Sequence, residues 1–176
     1  MGTETEGTEQ INYTPQLSSH KFATMKILMV CLGNICRSPL AEGILQAKAN
    51  SAGLDWQVDS AGTANYHVGE TPHKLSIKVA SEYGVDISKK RVRQLAKLDF
   101  TLFDKIYVMD RENYNGAKRI AGENWDLSKI EFLLNEVNPG ENREVPDPWY
   151  GGYENFKDVY ALLDEACEKI VSSYKA

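Results

Sequence analysis

Cys31-Leu32-Gly33-Asn34-Ile35-Cys36-Arg37-Ser38 places five residues between Cys31 and Arg37, with Pro39 immediately after. A cysteine and an arginine at this offset are weak evidence alone; their chemistry becomes specific only if the intervening chain forms an anion site. A thiolate is the nucleophilic form of cysteine, and it is favoured by a helix N-terminus, by backbone N–H groups and by a neighbouring guanidinium. Such a group can attack phosphorus. Arg37 offers a planar fork of donors matched to two phosphoryl oxygens, which lysine cannot reproduce. The Ser38 hydroxyl can donate to the thiolate and ease its departure from a phosphocysteine.

The elements that would hold these groups can be read on either side. Lys26-Ile27-Leu28-Met29-Val30 is a short apolar run of the kind that forms a strand buried on both faces. Ser38 suits a helix N-cap and Pro39 the first helical position, and Leu40, Ala41, Ile44, Leu45 and Ala47 follow at helical spacing up to Ser51-Ala52-Gly53. Gly33 and Asn34 are the residue types that most readily take positive φ, as a tightly curved loop requires. Strand, tight loop and helix in this order make a concave phosphate site at a helix N-terminus.

Further along, strands are expected at Trp56 to Ser60, Asp104 to Met109 and Lys129 to Leu134, and helices at Pro72 to Tyr83, Asn113 to Ala121 and Tyr153 to Tyr174. This alternation predicts a single α/β domain. Its core is a four-stranded parallel sheet with helices on both faces, and its phosphate-binding loop follows the first strand. Met1 to Thr24 is polar and without periodicity, so a disordered tail is expected at 1–24 and the domain at 25–176.

With 176 residues, 42% of them hydrophobic, the chain can bury one sizeable core, and its net charge of -5 argues against a nucleic-acid partner. The sequence shows no membrane-spanning run and no signal peptide, so a cytoplasmic location is expected. Cys31, Cys36 and Cys167 are too few for a disulfide framework, and Cys167 lies on the apolar stripe of the last helix, where it reads as packing. No metal or other cofactor is called for. A nucleotide-binding P-loop would need a Gly-Lys-Ser/Thr ending, which is missing, and a thiol relay of the arsenate-reductase kind would need a distal cysteine pair where only Cys167 stands. A phosphate-binding module without turnover remains the non-enzyme alternative.

Cleavage of an aryl phosphate would also need a proton donor, because a phenol of pKa about 10 leaves poorly as its anion. Asp147, stiffened between Pro146 and Pro148, is the candidate. Trp149 and Tyr150 follow it and are placed to stack on an aromatic substrate, although packing alone would also account for them.

Val30 to Pro39 resembles the loop of the low-molecular-weight protein tyrosine phosphatases. The likeness continues through Asp59-Ser60-Ala61-Gly62-Thr63, His67-Val68-Gly69, Asp99-Phe100 to Met109-Asp110 and Asp147-Pro148-Trp149-Tyr150-Gly151. The resemblance implies hydrolysis of phosphotyrosine in proteins, and of small aryl phosphates, through a phosphocysteine, with inorganic phosphate as product. It implies Cys31 as nucleophile, Arg37 as transition-state clamp, Asp147 as general acid and then base, and Leu32, Gly33, Asn34, Ile35, Cys36 and Ser38 as the rest of the phosphate loop. It places Tyr66 with Trp149 and Tyr150 at the substrate rim, pairs Cys36 with Cys31 in a protective reversible disulfide, and suggests a monomer or weak dimer. Related arginine phosphatases carry threonine at the position of Ile35, so Ile35 favours tyrosine. Many relatives have a histidine within the segment Ser88 to Gln94 that supports the loop asparagine and serine; lysines stand here, with Ser88 as the expected substitute. His67 reads as structural.

Overall fold

A computed structural model describes residues 24–175. The tail expected at the N-terminus falls, up to residue 23, outside the described residues. Four strands, β1 (Met25–Cys31), β2 (Trp56–Gly62), β3 (Lys105–Val108) and β4 (Ile130–Phe132), form one parallel sheet in the order β2-β1-β3-β4. The helices are α1 (Arg37–Ser51), α2 (Lys74–Glu82), α3 (Asp99–Leu102), α4 (Arg111–Ala121) and α5 (Tyr153–Lys175).

The apolar run of β1 alternates between two cores because successive side chains of a strand point to opposite faces. Ile27, Met29 and Cys31 pack with Leu40, Ile44, Phe156 and Leu163 on the side of α1 and α5. Leu28 and Val30 pack with Ile106, Val108, Ala117 and Phe132 on the side of α4. Central placement keeps β1 buried on both faces, and full burial of one such aliphatic side chain contributes about 1.5–3 kcal/mol. The strand is therefore a rigid base for the loop it feeds.

The expected start of α1 and the expected list of helices need correction. Ser38 is not the N-cap of α1: the helix already begins at Arg37 with Cys36 as its cap residue and no capping side chain, because the Ser38 hydroxyl is engaged by the loop. The short α3 was not anticipated, since four residues are too few to display a period. The last helix spans Tyr153–Lys175, one residue beyond its expected end.

Candidate active site

Residues 32–36 leave β1 at its carboxyl end and pass straight into α1. Outside groups hold the loop carbonyls: Thr63 N–H donates to Cys31 O at 3.0 Å, Ala64 N–H to Leu32 O at 2.9 Å and His73 N–H to Ile35 O at 2.8 Å. Among the described residues, the N–H groups of Gly33, Asn34, Ile35 and Cys36 make no bond to protein, as an anion cradle requires. The bend is made at Asn34, with φ of 54°, while Gly33 does not take positive φ as had been expected. The glycine the loop depends on is instead Gly62, opposite Cys31 in the sheet. A Cβ there would lie 2.8–2.9 Å from Leu32 O, Asn34 N and Gly33 C, all backbone atoms unable to yield.

Asn34 is held on every side, and its bonds have a direction. Arg93 N–H, which can only donate, bonds Oδ1 at 3.0 Å and thereby turns Nδ2 toward two hydroxyls, Ser38 Oγ at 2.8 Å and Ser60 Oγ at 2.9 Å. Ser60 donates its own proton to Glu42 Oε2 at 2.6 Å. Ser38, having accepted from Asn34, keeps its proton for Cys31 Sγ, 3.0 Å away. The arrangement suits a thiolate. Arg93 is itself fixed by Asp59 at 2.8 Å and Asp99 at 2.9 Å.

Ser88 does not take the part expected of it, since its N–H and hydroxyl are both bonded to Asp86. Lys90 instead pairs with Glu42, behind Ser60. Burial holds the Glu42 carboxyl above its ordinary pKa of 4.5, with Lys90 and Ser60 pulling the other way. A raised carboxyl contributes stability that is present below the ordinary value and lost as pH rises through the folded one. Lys90→Met removes the opposing charge, so its cost should grow with pH and reach about 2 kcal/mol at neutrality, less than for a fully buried pair because Lys90 is partly exposed. Urea unfolding at pH 4.5 and pH 7.5 measures this; an equal loss at both would contradict it.

Arg37 is almost fully buried, with Nη1 bonded to Asp110 Oδ2 at 2.6 Å and to Val145 O at 3.0 Å, and Nη2 3.4 Å from Asp147 Oδ2. Burial alone would lower its pKa, but Cys31, Asp110 and Asp147 reverse this and hold it above the ordinary value. Asp110 also caps α4 by accepting from Asn113 N–H at 2.7 Å. Burial, then the negative charge of Cys31 and Asp147, pushes the Cys36 thiol up to about 12. Cys36 is thus a protonated neighbour. Cys167, wholly buried, has its thiol pushed up by burial too, as packing requires.

These groups open into one cavity of about 310 Å³, lined by Cys31, Leu32, Gly33, Ile35, Cys36 and Arg37 from the loop, with Asp147, Tyr66, His67, Trp149 and Tyr150 around it. Cys31, Arg37 and Asp147 and the expected rim residues Tyr66, Trp149 and Tyr150 all line this cavity, whereas Asn34 and Ser38 stand just behind its wall. Tyr66 and Tyr150 are exposed, at 72% and 97%, and Trp149 is about two-fifths exposed. Asp110, Glu42 and Ser60 were not foreseen as supports, and His67, read as structural, also lines the cavity. No helix among the described residues is long and apolar enough to cross a membrane.

The model of one family, described as low molecular weight phosphotyrosine protein phosphatase, matches residues 26–176. The chain is 35% identical to the human low molecular weight phosphotyrosine protein phosphatase over 148 residues, covering 82% of this chain and 92% of that protein. It is 37% identical over 151 residues to YfkJ of Bacillus subtilis, named a low molecular weight protein-tyrosine-phosphatase, covering 85% of this chain and 95% of that one. The crystal structure of YfkJ superposes with a TM-score of 0.80 over 88% of this chain and 97% of its own. That of a Drosophila arginine phosphatase gives 0.78 at 32% identity, over 86% and 99%.

Proposed function

The chain belongs to the low molecular weight phosphotyrosine protein phosphatase family, and from that premise we propose that Cys31, Arg37 and Asp147 hydrolyse phosphotyrosine in proteins in two steps. The observation that carries this reading is the meeting of Cys31, Arg37 and Asp147 at one cavity floored by free loop N–H groups. The Cys31 thiolate attacks phosphorus, and the bond from phosphorus to the tyrosyl oxygen breaks as Asp147 gives that oxygen its proton. Water then attacks the phosphocysteine while Asp147 takes a proton from it, releasing inorganic phosphate and the Cys31 thiolate. Loop N–H groups and Arg37 carry the charge of the equatorial oxygens throughout.

The 3.4 Å contact of Asp147 with Arg37 fits this sequence of events. An arriving phosphoryl group takes over Nη2, and the Asp147 carboxyl, released from the guanidinium and protonated, gives its proton to the leaving oxygen. Ile35, Leu32 and the rim residues Tyr66, Trp149 and Tyr150 leave an aromatic slot above the loop. A tyrosine ring fills such a slot better than the polar guanidinium of phosphoarginine. The chain then acts where thiols remain reduced, because the mechanism needs Cys31 as a free thiolate.

Asp147→Ala tests the reading. It should lower kcat/KM for a phosphotyrosyl peptide by about 10²-fold and p-nitrophenyl phosphate, whose leaving anion delocalises its charge, by far less. Equal losses on the two would remove Asp147 as the acid, and a faster rate on a phosphoarginyl peptide would reassign the substrate.

Cys36 is proposed to close onto oxidised Cys31 as a disulfide that thiol reverses, its own thiol being held protonated until then. After peroxide treatment and reduction, Cys36→Ser should recover several-fold less activity than the unchanged enzyme. Equal recovery would discard the protective role.

A further inference from the structure

Asp147 sits on a loop between two prolines, in the stretch that joins β4 to α5, and outside the sheet that anchors Cys31 and Arg37. Its carboxyl nevertheless has a defined place: Oδ1 accepts the backbone N–H of Trp149 at 3.0 Å, leaving Oδ2 toward Arg37. Whatever fixes Trp149 therefore fixes the carboxyl. The indole lies between two imidazoles contributed by a different part of the chain. His67, from the loop after β2, is 5.3 Å away between ring centroids and tilted at 47°; His73, at the start of α2, is 5.5 Å away with its ring at 69°.

Both imidazoles have their own anchors. His67 Nδ1 is 3.0 Å from Glu70 Oε2. His73 accepts Leu75 N–H on Nδ1 at 3.1 Å, donates its backbone N–H to Ile35 O, and stacks at 4.9 Å and 19° on Phe156, which is fully buried in the first turn of α5. A continuous run of rings, His67, Trp149, His73 and Phe156, thus leads from the cavity wall to the hydrophobic core. Offset and edge-on ring pairs of this sort attract each other beyond the burial of their area. The loop is tied to the sheet at Val145, through Met109 O and Arg37, and beyond that point the ring contacts at Trp149 are what hold it toward the core.

We infer that His73, with His67, is a positioning residue for the general acid: the two imidazoles clamp Trp149, and the Trp149 N–H holds the Asp147 carboxyl over the leaving oxygen. The inference rests on the role proposed for Asp147. His67 also faces the substrate, so the cleaner probe is His73, which does not line the catalytic cavity. His73 contributes two separable things, a ring against Trp149 and a side-chain acceptor that caps α2. His73→Asn keeps the acceptor and removes the ring; His73→Phe keeps the ring and removes the acceptor.

The measurement is the ratio of kcat/KM for p-nitrophenyl phosphate to that for phenyl phosphate, taken with the full chain, with Asp147→Ala alongside. This ratio reports the need for proton donation in the first chemical step and does not depend on how much of a variant is folded. His73→Asn should raise it about 10-fold, since a misplaced acid costs rate only where the leaving group needs its proton, and His73→Phe should leave it within about 2-fold of the unchanged enzyme. A raised ratio in Asp147→Ala with none in His73→Asn overturns the clamp and leaves the acid in place. A ratio raised by His73→Phe and not by His73→Asn makes the cap the cause and also overturns the clamp. An unchanged ratio in Asp147→Ala removes both the acid and its clamp.

Discussion

Cys31→Ser is expected to abolish hydrolysis of phosphotyrosyl peptides and p-nitrophenyl phosphate, a loss on the order of 10⁴-fold or more, while phosphate binding survives. The two outcomes have separate causes. Chemistry is lost because a serine hydroxyl has no comparable anionic form: the Ser38 hydroxyl and Arg37 can stabilise a sulfur already inclined to ionise, and they fall far short of ionising an alcohol. Binding is kept because the anion is held by loop N–H groups and by Arg37, neither of which the substitution touches. Removing a negative sulfur from the floor of the cavity also removes its repulsion of a dianion. Calorimetric titration with a phosphotyrosyl peptide should therefore give a Kd equal to or tighter than the substrate affinity of the unchanged enzyme. Turnover retained in Cys31→Ser would sink the covalent mechanism; lost binding together with lost turnover would mean the loop had collapsed.

Part of what is local to the loop was legible before its structure was. An unbroken apolar strand, a bend-prone Asn34 and a helix directly after the loop are neighbours in sequence, and each obeys a short-range rule; the start of that helix was not legible, because the Ser38 hydroxyl engages Cys31 and Asn34 instead of capping it. Asp147 was legible for a different reason, since two flanking prolines stiffen it and the chemistry demands an acid. The supports were not legible. Glu42 lies on a helix whose residues from Arg37 to Leu45 are all buried, so nothing in its spacing separates it from a carboxylate facing water. Asp110 reads as an ordinary N-cap for α4, and only the third dimension brings it to Arg37, 73 residues earlier. Ser88 was chosen over Lys90 on hydrogen-bonding capacity, but the role passed to a charge, because a buried carboxylate behind Ser60 requires a cation more than it requires another hydroxyl. His67 was read as structural because it belongs to a different motif from the loop-supporting histidine, and its place on the cavity wall shows only in three dimensions.

Arg37→Lys is expected to give the next largest loss after removal of the nucleophile, and for a reason that positive charge alone does not supply. One edge of the guanidinium is fully committed, with Nη1 shared between Asp110 Oδ2 and Val145 O, and this commitment aims the opposite edge at the cavity. An ammonium has one nitrogen. It can meet Asp110, or reach the phosphoryl oxygens, and it has no rigid plane through which the first contact orients the second. If it pairs with Asp110 the equatorial oxygens lose their fork; if it turns to phosphate, Asp110 is left beside the site as an unpaired carboxylate repelling the same dianion. Either arrangement removes an interaction that strengthens as charge accumulates on the oxygens in the transition state. A fall of about 10³-fold in kcat/KM, or about 4 kcal/mol, is expected, with most of it in kcat and a smaller part in KM. Asp110→Asn should fall between the lysine variant and the unchanged enzyme, because a neutral amide oxygen still accepts from Nη1 and preserves the aim of the fork while giving up part of its hold. Steady-state rates on p-nitrophenyl phosphate decide the matter. If Arg37→Lys keeps more than a tenth of the activity, the site uses Arg37 as a charge, and the planar geometry built around it by Asp110 and Val145 has no catalytic consequence.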